Sequence, residues 1–348
     1  MNKIIIRKPD NMHVHLREGP MLTKVIMFTS YVYSRAVIMG NLKNPVDTPE
    51  KAMLYKSEIL RNAGHPGFIP LMTLMITKNT NRQTVKDAKK EGIVGFKFIP
   101  ANTSTGSEDI GLNFFELFDC IDILKEIRDQ NLMFLVHSEL IRDRQGNIIP
   151  LIKREETSIK LIDLLVDKVP GLKITIEHIT TRKYANYILG IKYPFIWATI
   201  TAHHPYGTYD MVCDKDGIIK NPELYCLPIF KSEDDQQAII KAMISGNLKF
   251  FCGEDTAPHY FWDKIKPPYR PGLFTAPVGL ILITQIFEKY NALGNLENFT
   301  SRFGAEAHDL PLNQGKITLI KKKWTVPLSH EGINIFKGGE TLHWQIAS

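Results

Sequence analysis

Residues 12–16 read MHVHL, a short apolar run carrying two histidines one residue apart. Side chains along a strand alternate between faces, so an extended run puts His13 and His15 on the same side. Further β-rich runs follow at 35–39 (RAVIM), 68–75, 93–99 (IVGFKFI), 132–137 (LMFLVH), 173–178 (KITIEH), 196–201 (IWATIT) and 249–253 (KFFCG), making eight with the first. Stretches of helical period separate them. The clearest is 113–129, where Phe114, Leu117, Phe118, Ile121 and Leu124 share a stripe, and 155–169 and 233–245 repeat the pattern. Alternating strand and helix predicts parallel strands with crossover helices. An open doubly wound sheet would need a glycine-rich phosphate loop after its first strand, and the MHVHL run stands there instead. The expected fold is therefore an α/β (β/α)8 TIM barrel. Residues 316–346 read as short strands outside it, pairing with the run 4–6. The polar stretch 141–151 and the proline-rich stretch 258–277 read as insertions after the fifth and eighth strands.

Bulk properties fit one elaborated barrel. The chain has 348 residues, 44% of them hydrophobic, and such a barrel needs about 250. No repeat, linker or second domain is visible, so residues 1–348 are expected to form a single domain. The net charge is +6, and the one sharp basic run, Lys321, Lys322 and Lys323, is too short to argue for nucleic acid. The three isoleucines at 4–6 are too short for a signal peptide, and no run approaches the roughly 18 apolar residues of a membrane span. The four cysteines form no C-x-x-C pair, and Cys226 and Cys252 lie in apolar runs. Buried free thiols in a reducing cytoplasm are expected, with neither nucleic acid nor membrane as partner.

Several polar residues stand where such strands would end at a barrel mouth. Lys97 sits between Phe96 and Phe98 in an otherwise apolar strand. An isolated lysine there ordinarily snorkels to water. A desolvated one has a lowered pKa, and its neutral amine can add CO2 to form a carbamate, an anion able to bridge two metals. His137 and His178 each end an apolar strand. Together with the pair on the first strand they converge on one face of a barrel. Asp255 follows the eighth strand and can bind a metal and accept a proton from metal-bound water, with Glu254 beside it as a rival. Four histidines, a lysine and an aspartate suit zinc, with manganese or cobalt as substitutes. Arg17, two residues beyond His15 on the same face, suits a carboxylate bidentately.

This order of ligand types resembles the binuclear amidohydrolase superfamily. The strings PDNMHVHLREG, FKFIPANTST, FLVHSE, IEHITT, ATITAHH, LYCLPIFK and GEDTAPH resemble the bacterial single-domain dihydroorotases, from about Arg7 to about Leu280. The resemblance implies two zinc ions per subunit. His13, His15 and Asp255 would hold one, His137 and His178 the other, with carboxylated Lys97 (N6-carboxylysine) and a hydroxide bridging them. It implies that Asp255 is catalytic, that Arg17, Asn41 and His259 grip the substrate carboxylate, and that the backbone at Leu227 and Pro271 contacts the ring. Residues 102–105, with Ser104 and Thr105, resemble a mobile loop that closes over substrate. The implied reaction is reversible cyclisation of N-carbamoyl-L-aspartate to dihydroorotate, a small-molecule conversion in pyrimidine biosynthesis, by a cytoplasmic homodimer. Ile99, Gly40, Glu254 and the loop 260–271 depart from the family pattern. Rival readings are a hydantoinase or allantoinase, which would hold its substrate differently, and a non-catalytic barrel homologue, which would lack the ligands.

Overall fold

Parallel strands buried on both faces favour continuous apolar runs over alternating ones, and eight such runs hydrogen-bond side by side in chain order. The computed structural model describes residues 2–101 and 111–347. After an outer strand β1 (Lys3–Arg7), the eight are β2 (Asp10–Val14), β3 (Arg35–Ile38), β4 (Ile69–Met75), β5 (Gly95–Phe98), β6 (Met133–Val136), β7 (Lys173–Ile176), β8 (Ile196–Ile200) and β9 (Phe250–Cys252). All seven neighbouring pairs are parallel. The sheet closes where the chain leaving β9 meets β2: the Asp255 N–H donates to His13 O at 2.9 Å and the His15 N–H to Thr256 O at 3.0 Å. The eight-stranded barrel expected from the sequence is the fold observed.

Crossover helices cover the barrel, among them Gly19–Val32, Pro49–Asn62, Arg82–Lys90, Ile159–Lys168, Arg182–Gly190, Glu233–Ile244 and Gly279–Lys289. Side chains alternate between the helix-facing layer, which takes Phe96, Phe98, Phe134 and Val136, and the barrel interior, which takes Met133, Leu135, Trp197 and Phe251. The interior group is capped at the strands' N-terminal end by Phe303 and Ala307. Packing therefore fills one end and leaves polar side chains for the other.

The strands end earlier than the sequence predicts. His15, His137 and His178 lie just past β2, β6 and β7 rather than within them. The predicted helix 113–129 is a 3-10 turn over Glu116–Cys120 followed by a helix over Ile121–Asp129. The 155–169 helix breaks at Ser158, whose hydroxyl bonds to Glu155 O at 2.7 Å and so competes with the helical ladder. The stretch 258–277 is not wholly irregular: it carries a short helix, Phe261–Ile265. The terminal strands form as expected. β1 pairs antiparallel with β10 (Lys316–Thr325), Ile6 opposite Ile317, and β10 pairs with β13 (Thr341–Ile346). Between them lie β11 (Ser329–His330) and β12 (Ile333–Asn334).

Candidate metal centre

The first histidine reaches the barrel interior through an irregularity. The β2–β3 register shifts between Asn11 and Val14, so Met12 joins the interior cluster and His13 still lines the mouth. Such a slip re-aims a side chain where strict alternation would not. His13 and His15 do share a face, their Nε2 atoms 3.2 Å apart. Asp255 Oδ1 lies 3.4 Å from the first and 3.3 Å from the second. Burial lowers both imidazole pKa values. Glu177 partly opposes this at His13, while Arg17 and Lys97 reinforce it at His15. Neutral imidazoles keep the lone pairs that a metal needs.

His137 and His178 make the second group, with His137 Nδ1 3.1 Å from His178 Nε2. Burial holds His178 well below the usual histidine range, and the neighbouring His137 and Lys97 add to this. The two groups present different nitrogens, and a carboxylate explains each choice. Glu177 Oε2 lies 2.6 Å from His13 Nδ1, and Glu139 Oε2 lies 3.0 Å from His137 Nε2. Each glutamate is fully buried. Burial opposes their ionisation, yet His13 and Lys97 hold Glu177 below the usual carboxylate range, and His137 does the same for Glu139. An ionised carboxylate takes the proton-bearing nitrogen and leaves the other free. His13 thus offers Nε2 and His137 offers Nδ1.

Lys97 extends from β5 between these groups. It is 1% exposed and its Nζ has no hydrogen-bond partner. Burial pushes its pKa down to about 8, while Glu177 and Asp255 pull it back up. About a tenth of such a group is neutral amine at pH 7. An orphaned buried amine beside clustered lone pairs and a carboxylate is what a carbamate-bridged metal pair would satisfy, and the donor set fits zinc.

All six ligand candidates line one cavity at the strands' C-terminal ends, together with Arg17, Asn41, Leu227 and Pro271. Arg17 Nε donates to Pro258 O at 2.9 Å, and its Nη2 lies 2.8 Å from His259 Nε2. That same nitrogen lies 3.0 Å from Pro271 O. A guanidinium only donates and a carbonyl only accepts, so Nε2 serves one of them at a time. His259 lines an adjoining cavity instead. Ser104 and Thr105 lie outside the described residues.

Glu254, the rival carboxylate, faces the other way. It accepts from Asn11 Nδ2 at 3.0 Å and backs onto Gly279, where a Cβ would fall 2.1 Å from its Oε1. The switch between neighbours comes from backbone: Asp255 has φ +52°, His178 +43° and Arg17 +61°. Non-glycine residues in the left-handed region carry strain and cluster at functional sites. His203, His204 and Cys226 form a second close group. His204 is engaged on both nitrogens, with Thr201 Oγ1 and Pro228 O each at 2.8 Å, which leaves neither nitrogen open to a metal.

Sequence reasoning missed Glu139 and Glu177. Each neighbours a predicted histidine, in FLVHSE and IEHITT, and strand alternation argues against both members of IEH facing one site. The left-handed turn at His178 removes that objection.

No protein-family model matches the chain. The dihydroorotase of Marinomonas sp. is 37% identical over 355 residues, covering 99% of this chain and 100% of that protein. Among solved structures, dihydroorotase of Saccharomyces cerevisiae in complex with 5-fluoroorotic acid superposes with a TM-score of 0.92 at 29% identity, covering 100% of this chain and 99% of that one. Dihydroorotase of Campylobacter jejuni gives 0.87 at 32%, covering 100% and 98%. An L-hydantoinase from Arthrobacter aurescens shares the fold, with a TM-score of 0.81, at only 14% identity over 99% of this chain and 83% of that one.

Proposed function

The chain belongs to the dihydroorotases, a family of cyclic amide hydrolases, and we propose that it interconverts N-carbamoyl-L-aspartate and dihydroorotate with the residues of the cavity described above. The observation that carries this is the convergence of four histidines, Lys97 and Asp255 on one cavity whose rim also carries Arg17 and Asn41. His13, His15 and Asp255 would hold one zinc ion and His137 and His178 the other. The neutral Lys97 amine would add CO2 and release a proton, and the resulting carbamate would serve as a further ligand for the metal pair. Bound there, the ions supply Lewis-acid polarisation of the ring carbonyl and a hydroxide nucleophile at neutral pH.

The remaining steps belong to side chains. In ring opening, Asp255 accepts the proton released as the nucleophile adds to the ring carbonyl carbon, and delivers it to the leaving ring nitrogen. Burial raises its carboxyl pKa, which suits proton exchange, while His13, His204 and Lys97 limit the rise. Ring closure runs the same transfers backwards. Arg17, with Asn41 and His259, holds the carboxylate that dihydroorotate carries and dihydrouracil lacks. Leu227 and Pro271 face the ring. The resemblance further supports one domain over residues 1–348 acting as a cytoplasmic homodimer. Among the described residues no helix is long and apolar enough to cross a membrane.

Metal analysis paired with an assay on both substrates tests the reading. The expected result is two metal equivalents per chain and at least about tenfold preference for dihydroorotate over dihydrouracil. Comparable rates on both would favour a hydantoinase-like enzyme.

A further inference from the structure

Lys264, on the short helix after β9, is 5% exposed. An ammonium has three donors and no acceptor, and three backbone carbonyls surround this one. Gly272 O lies at 2.7 Å, Tyr225 O at 2.9 Å and Arg270 O at 3.4 Å. Tyr225 O also accepts from the Gly272 N–H at 3.0 Å. These carbonyls flank the cavity wall: Pro271 lies between Arg270 and Gly272, and Leu227 lies two residues past Tyr225. Gly272 has little room to shift. Its φ is +136°, and a Cβ there would fall 2.4 Å from Ala257 O. Lys264 itself lines the adjoining cavity, not the one that holds the ligands. Whatever it does for substrate it does through the backbone.

On the reading that Leu227 and Pro271 face the substrate ring, we infer that Lys264 is a positioning residue that sets affinity for substrate by tying the 225–228 and 270–272 segments into one wall. The tie crosses two stretches joined by a single backbone hydrogen bond and no β-ladder, so the ammonium reinforces a register that regular structure supplies elsewhere. Its charge is also conditional. Burial pushes its pKa down to about 8, Arg17 adds to the fall, and Cys226 and Glu223 pull it back. His259 of its own loop interacts with it electrostatically as well. A lysine with a lowered pKa keeps its ammonium below that value and loses it above. The neutral amine has two N–H donors for three carbonyls, so the wall loosens as pH rises past about 8.

The test uses the metal-loaded enzyme. Lys264→Met should raise KM for dihydroorotate about tenfold, change kcat less than about threefold, and leave metal content intact. Amide hydrogen exchange should speed up in 225–228 and 270–272. Wild-type KM should rise between about pH 7 and about pH 9, whereas Lys264→Arg, charged throughout, should show no such rise. A Met variant with wild-type KM and only a lower melting temperature would reduce Lys264 to a structural part and overturn the inference. If the Met variant does not fold, the Arg comparison decides, and the same rise in KM with and without the lysine overturns it. A wild-type enzyme inactive on dihydroorotate would sink the underlying functional reading, and the inference with it.

Discussion

At the barrel mouth, the proposed ligand floor and the proposed substrate rim are held by different means. Lys97 stands within the parallel ladder of β5, and His13 stands at the register slip of β2 with its Nδ1 fixed by the buried Glu177. Arg17, His259 and Pro271 stand on loops, positioned by side chains reaching backbone carbonyls: Arg17 to Pro258 O, His259 to Pro271 O, Lys264 to Gly272 O. A ladder shares its load over many bonds, whereas a loop depends on a few. Substitutions on the floor should therefore cost chemistry and metal. Those on the rim should cost recognition while the metals stay.

The largest effects belong to the floor. Lys97→Ala should lose metal and activity together, as metal analysis beside an assay would reveal. Full metal occupancy in that variant would remove the lysine from the bridge. Asp255→Asn should lower kcat in both directions by at least about a hundredfold with native circular dichroism, since positioned acid–base catalysis contributes roughly 10²–10⁴.

Next comes the carboxylate behind the floor. Glu177→Gln replaces an anion with an amide that can present its NH2 to His13 Nδ1 and so favour the wrong tautomer. Outer carboxylates of this kind are worth about 10–100-fold in metal affinity or activity. Competition with a chelator should show faster metal loss from Glu177→Gln than from wild type. Equal retention would mean that Nε2 of His13 faces the metal site without help from Glu177.

Those two regions also differ in how far they could be read from sequence. Eight apolar runs and their order were visible because a parallel barrel buries both strand faces. All six ligand candidates were visible because they interrupt or end those runs. The exit from strand geometry was not. His178 and Asp255 adopt positive φ that no residue type announces, so IEH and GED could not be assigned inward and outward members by period alone. The register slip at Met12 and His13 was hidden for the same reason. On the rim, Lys264 gave no signal at all: a lysine in a proline-rich loop reads as solvated, and only the fold brings three carbonyls to it.

Arg17 sharpens the contrast at intermediate size. It is half-buried at the cavity rim, where desolvation pushes its pKa down to about 10 while Asp255 pulls it back, and so it stays charged at neutral pH. Hydrogen bonds to a charged group contribute about 1.5–3 kcal/mol, or one to two decades. Arg17→Met should lower kcat/KM for dihydroorotate at least about tenfold with both metals retained, while activity on dihydrouracil changes little. Metal loss in this variant would show that rim and floor are not separable.

The smallest effect is expected one residue from the largest. Glu254 adjoins Asp255 but points away from the cavity, toward Asn11 and the start of the Gly279–Lys289 helix. Glu254→Gln keeps an acceptor for Asn11, so turnover should stay within about threefold of wild type, since no transition-state contact is removed. Its signature should appear in stability instead. Burial raises the Glu254 carboxyl to about 7 from an ordinary 4.5, with its polar neighbours pulling part of the way back. Between those values the folded state holds a proton that the unfolded chain has released, so wild-type stability should fall as pH rises from about 4.5 to about 7. At 1.36 kcal/mol per unit the full loss is on the order of 3 kcal/mol, reached at neutral pH and above. Glu254→Gln has no proton to lose. Denaturant melts should therefore show the variant gaining on wild type across that window, with little advantage near pH 4. A variant that instead lost activity as severely as Asp255→Asn would put the proton on the other carboxylate.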